Sequence, residues 1–310
     1  MFRILLLSVF LSLSATIYTN AQLPVLSTGS IRRIENFQSN YVAARTIDIW
    51  LPEGYSAANK YAVLYMQDGQ MLFDATHTWT KQEWGVDETA GRLIKEKKIK
   101  ACIVVGIWNS GSMRHTDYFP QKPLLSLPAR QVDSIYKANR SNGAGLFAGE
   151  VQSDNYLRFI VTELKPYIDQ HFSVYTDAAH TFIAGSSMGG LISMYAICEY
   201  PQVFGGAACL STHWPGVFTT VNNPVPDAFL AYLSAHLPSA ESHRLYFDYG
   251  TATLDTMYAP YQQRADVIIR SGNYSAKNFM TKVFKGADHS EQAWNNRLEI
   301  PLQFLLSVKK

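Results

Sequence analysis

Two patterns of apolar residues divide the chain. Residues 31–37 and 42–51 alternate apolar and polar side chains, most clearly in RTIDIWL, which is the period of half-buried antiparallel strands. Beyond them the apolar runs become continuous, at 61–66, 101–108, 181–184, 205–210, 245–249 and 279–284. Strands buried on both faces read this way. Residues 85–97, 154–170, 188–200, 256–271 and 290–308, lying between and after these runs, have the periodicity and length of helices. Such alternation predicts an α/β class: a mostly parallel central sheet of about eight strands, an antiparallel pair at one edge, and helices on both faces. Ligands of these sheets bind beyond the carboxyl ends of the strands. The turns that follow the strands are therefore where chemistry is expected.

Two stretches fall outside this pattern. Residues 1–21 begin Met1-Phe2-Arg3, run apolar from Ile4 to Ile17 and end Thr19-Asn20-Ala21, the layout of a Sec-type signal peptide. The apolar run is shorter than the roughly 20 residues a bilayer span needs. The expected product is a single domain over 22–310, secreted or periplasmic, with no membrane span after cleavage. Residues 109–153 are polar, rich in Gly, Ser and Pro, and lack clear periodicity. They read as a long loop insertion over the ligand end of the sheet, or equally as a surface excursion.

Composition narrows the chemistry only slightly. A net charge of +2 with scattered basic residues gives no reason to expect a nucleic-acid partner or an anionic membrane. The aromatic content of 13%, much of it in loops, suggests an organic ligand. Cys102, Cys198 and Cys209 sit in apolar contexts, and an odd count there predicts buried free thiols. With no CxxC, HExxH or clustered His/Asp set, no metal or other cofactor is expected.

The central signal is Gly185-Ser186-Ser187-Met188-Gly189-Gly190, between the strand-like HTFIA and the helix-like LISMYAICEYP. G-x-S-x-G at a strand-to-helix turn is the nucleophile elbow of the α/β-hydrolase fold. A serine hydroxyl needs a base, and the base an orienting carboxylate; on this fold the chain order is Ser, acid, His. His289, in the turn after the 279–284 run, stands where the base belongs. The acid should follow RLYFDYG, which favours Asp255, with Asp248 in reserve and helix capping as the plainer use of Asp255. An oxyanion needs two backbone N–H groups. Met188 supplies one, and Gln70, or else Gly69, the other, Gly69 allowing close approach to substrate.

With these motifs in place, YMQDGQMLFD, VVGIWNS, FIAGSSMGGLISMYA and GADHSEQAW, in this order, resemble the putative esterase family. That family includes enterochelin-type siderophore esterases, esterase D, and feruloyl or acetylxylan esterases. The resemblance covers nearly all of 22–310 and implies a Ser187/His289 pair with an acid between them. It also suggests Trp108, Asn109 and Arg114 as shapers of the substrate pocket. Two departures are Met71, where the family often has Asn, and the acid region YGTATLD. His213 follows the strand beside the elbow and, with Trp84, Tyr118 and Trp214, suits either an aromatic pocket or packing. The expected reaction is Ser-His-Asp hydrolysis of a small-molecule or polysaccharide-linked ester, on carbohydrate-linked, phenolic or siderophore substrates. An acyltransferase on the same site, and a non-catalytic carbohydrate- or siderophore-binding homologue, are the rival expectations.

Overall fold

The computed structural model describes residues 22–140 and 142–308; the signal-peptide expectation at 1–21 lies outside the described residues. The apolar runs become the strands β1 Ser30–Phe37, β2 Arg45–Leu51, β3 Ala62–Gln67, β4 Cys102–Ile107, β5 Thr181–Ser186, β6 Gly206–Leu210, β7 Arg244–Gly250 and β8 Phe279–Phe284. They form one sheet in the order β1-β2-β4-β3-β5-β6-β7-β8. β1 and β2 pair antiparallel, β2 meets β4 antiparallel, and all later pairings are parallel. This is the α/β-hydrolase architecture that the alternation predicts. Strand order reverses around β3, with β4 on one side and β5 on the other. That switch point opens a crevice beyond the carboxyl ends.

Continuous apolar strands feed two cores because successive side chains point to opposite faces. In β3, Val63 and Tyr65 join one core while Ala62, Leu64 and Met66 join the other. The first core packs under helices that include Met188–Glu199 and Val225–His236. The second is closed by Val86–Lys95 and Glu299–Leu306. Cys102, Cys198 and Cys209 are buried and free, as their apolar settings predict.

The expected 154–170 helix is Ser153–Phe159 continued through a π turn, Ile160–Leu164, into Lys165–His171. Residues 109–153 hold short helices, including Arg114–Tyr118 and Ala129–Tyr136. Their lengths of 5 and 8 residues give periodicity little room to show. No described helix is long and apolar enough to cross a membrane.

Candidate active site

β5 delivers Ser187 to the carboxyl edge of the sheet. Its backbone, at φ 57° and ψ −122°, lies outside the regions L-residues favour and caps the helix Met188–Glu199. Such strain costs on the order of 1–3 kcal/mol and persists only where the surroundings over-determine it. Here Ser187 N donates to Leu210 O at 2.9 Å, while Ser187 O accepts from Leu191 N and His213 N. The turn is too tight for side chains on either flank. A Cβ at Gly185 would stand 2.7 Å from the Gly189 carbonyl carbon, and one at Gly189 would stand 3.0 Å from Gln67 Cβ.

β7 and β8 deliver the partners. His289 Nδ1 lies 2.5 Å from Asp255 Oδ1, and Thr253 Oγ1 accepts from His289 N. Asp255 is fully buried in a 3-10 turn, Thr253–Met257, and its side chain caps no helix. Its second oxygen accepts from Ser211 Oγ and Gly250 N, both at 2.6 Å. The loops after β7 and β8 are zipped together by Thr251 N and Ala252 N, which both donate to Ala287 O. The reserve acid, Asp248, faces elsewhere. It pairs with Arg297 at 2.9 Å and accepts from Tyr246 Oη. Burial pushes its carboxyl up to about 6 against the pull of Arg297.

Ser211 escaped the sequence reading. It is buried at φ 42°, donates to Asp255, and accepts from Trp294 Nε1 and Arg297 Nη2. It thereby ties the Asp248–Arg297 pair to the carboxylate beside His289. No motif marks it, because its partners come from β7, from the turn after β7 and from the segment after β8.

The loop after β3 is organised by Asp68. Its carboxylate accepts from Arg114 Nε and Nη2 at 2.6 and 2.7 Å and from Asn109 Nδ2 at 2.7 Å. At Gly69 the packing on β4 itself demands glycine: a Cβ there would lie 2.5 Å from the Gly106 carbonyl carbon. Gln70 Oε1 accepts from Asn109 N at 3.1 Å. Among the described residues, no backbone acceptor outside their own helices takes the N–H of Gln70 or Met188.

A cavity of about 600 Å³ gathers Ser187, Met188 and His289 with Asn109, Arg114 and His213. Trp84 and Trp294, with ring centroids 5.5 Å apart, form part of its wall. Glu291, also in the wall, has its carboxyl raised mainly by burial. Three expected pocket aromatics lie elsewhere. Trp214 is fully buried in the first core, where its indole stacks on Phe247 and its Nε1 donates to Gln262. Trp108 donates to Asp48 and stacks under Arg33, lining, together with Gly69 and Gln70, a separate cavity of about 270 Å³. Tyr118 is likewise fully buried. A wider depression of about 1230 Å³, lined by Gly205, Arg244 and Asn278, lies at the opposite, amino-terminal edge of the sheet.

Residues 41–304 match the model of a family described as "Putative esterase". The chain is 27% identical over 172 residues to "Uncharacterized protein YbbA" of Bacillus subtilis, covering 55% of this chain and 58% of that one. It is 26% identical over 197 residues to "Endo-1,4-beta-xylanase/feruloyl esterase" of Xylanibacter ruminicola, covering 60% of this chain and 22% of that one. The match thus spans less than two thirds of either relative. A solved "ferulic acid esterase" superposes with a TM-score of 0.63 at 18% identity, over 90% of this chain and 98% of the other. At that identity the likeness speaks to the fold.

Proposed function

The chain belongs to the Putative esterase family, and on that premise we propose that it is a secreted serine carboxylic-ester hydrolase acting through an acyl-enzyme. Ser187 is the nucleophile, His289 the general base and acid, and Asp255 the orienting carboxylate. The observation that carries this reading is the 2.5 Å Asp255–His289 hydrogen bond, with His289 in the same cavity as the strained Ser187. Bound to Asp255 through Nδ1, the imidazole presents a basic Nε2. It takes the Ser187 proton as Oγ attacks the ester carbonyl, and the N–H groups of Met188 and Gln70 meet the oxyanion. The same proton passes to the departing alcohol. A water deprotonated by His289 then attacks the acyl-enzyme, and Ser187 regains its proton as the acid leaves.

Asn109, Arg114 and His213 are the proposed substrate contacts, with Asp68 holding the first two in place. The aromatic wall favours carbohydrate-linked, phenolic or siderophore esters over small aliphatic ones. Feruloyl esterase names among the similar proteins lean the same way. Export rests on the amino-terminal sequence alone.

Turnover of p-nitrophenyl acetate tests the assignment. Ser187→Ala should lose about 10³-fold or more in kcat while unfolding at a temperature near that of the wild type. Undiminished activity in this variant overturns the reading.

A further inference from the structure

We infer that His213 determines specificity in this cavity, its Nε2 taking a hydroxyl group that the substrate carries beyond the scissile ester. The inference rests on the serine-esterase reading above and adds to it the residue that selects. His213 follows β6 and is held against the elbow, since its backbone N–H donates to Ser187 O at 3.2 Å. Its ring lines the cavity although the residue is only 1% exposed. Nδ1 is engaged, 2.9 Å from Tyr258 Oη. Nε2 is buried and has no hydrogen-bond partner among the described residues. A buried polar atom left unpaired is costly, and most such atoms in folded proteins find a partner. In a wall of the site itself, that partner is most simply a group of the ligand.

The surroundings specify what kind of group. Tyr258 stands between two imidazoles, its ring 5.8 Å from His213 and 5.9 Å from His289. It fixes the His213 ring in place. Phe218 covers that ring at 5.5 Å and is itself half exposed at the cavity mouth. Burial first, then His115, His289 and Arg114, hold the His213 pKa well below its ordinary value. The ring is therefore neutral at pH 7, and a neutral partner suits it better than an anion. A neutral imidazole with Nδ1 engaged leaves Nε2 as donor or acceptor according to tautomer. A hydroxyl can answer either. Removing a hydroxyl that a buried site is built to bind costs more than removing a methylene.

Two matched ester pairs test this: p-nitrophenyl butyrate against its 3-hydroxy analogue, and methyl cinnamate against methyl 4-hydroxycinnamate. The wild type should favour the hydroxylated member of at least one pair by about tenfold or more in kcat/KM. His213→Leu should bring that ratio to within about threefold of unity, and His213→Gln, which keeps a hydrogen-bonding terminus, should retain the preference. The assignment is overturned if neither pair is discriminated by the wild type, or if the preference survives in His213→Leu. If His213→Leu does not fold, a wild type that discriminates neither pair still overturns the assignment, and loss of the preference in His213→Gln does so too. Ser187→Ala on p-nitrophenyl acetate separates the two levels. Activity there sinks both readings, whereas an inactive Ser187→Ala beside an undiscriminating wild type sinks the His213 assignment alone.

Discussion

Asp255 and Asp248 lie seven residues apart, and their environments give them opposite work. Asp255 divides its two oxygens between His289 on one side and Ser211 with Gly250 on the other. Asp248 faces Arg297, itself only 3% exposed, in a buried ion pair. Substitution should separate them. Asp255→Asn, which allows His289 the wrong tautomer, should lower kcat by about 10³-fold or more. Asp248→Asn leaves Arg297 charged and unpaired in the interior, a change that costs about 3–5 kcal/mol, so it should lower stability far more than Asp255→Asn does. Steady-state kinetics and urea unfolding of both variants check this, and a larger kcat loss in Asp248→Asn would reverse the two roles. The sequence favoured Asp255 by its place after β7 but left the choice open, because chain order does not say which carboxylate reaches His289.

The elbow between β5 and its helix depends on absent atoms as much as on present ones. The contact a Gly185 Cβ would make is with the Gly189 backbone, which no rotamer change can relieve. Gly185→Ala should therefore cost about 1–3 kcal/mol of stability. It should also lower kcat, since displacement of a reacting group by about 1 Å can cost 10²-fold. Unfolding midpoints and kcat measured together check both; an alanine variant with wild-type values would show that the turn has room. Other elements were less legible. The helix Val225–His236 is absent from the helical stretches the sequence predicts, although Val225, Phe229, Leu230 and Leu233 form its buried face. Its start, Pro224 and Pro226 after a polar stretch, resembles a turn as readily as a helix N-terminus.

At the scale of the whole molecule, the segment leading into β1 is fastened across the second core by acidic side chains. Asp74 Oδ2 accepts from Val25 N, and Asp87 Oδ2 accepts from Ser27 N and Thr28 N. Burial, and then Glu88, push Asp87 up to about 7 despite the pull of those N–H groups. An unfolded aspartate titrates near 3.9, so between about pH 4 and 7 the folded protein keeps a proton that the unfolded chain has released. Asp87 therefore makes stability fall as pH rises through that window and adds no further change above it. Asp87→Asn stays neutral throughout. Its melting temperature relative to wild type should rise between pH 5 and pH 8 by about 2 °C or more, and a flat or falling difference would contradict the assignment.

The sequence by itself determined the class of fold and two members of the candidate site. Continuous apolar runs specify strands buried on both faces, and glycines around Ser187 specify a turn that only small residues tolerate. His289 was legible because chain order on such a sheet leaves few positions for it. Only the tertiary structure decided which side chains share the cavity. Trp108 and Trp214 looked as suitable as His213, yet one packs on Arg33 and the other lies in the core. The reason is physical: periodicity records whether a residue is buried, whereas its partners depend on which distant strands the sheet order makes neighbours. Ser211, with no motif of its own, touches groups from three separate segments, and nothing short of the folded sheet brings them together.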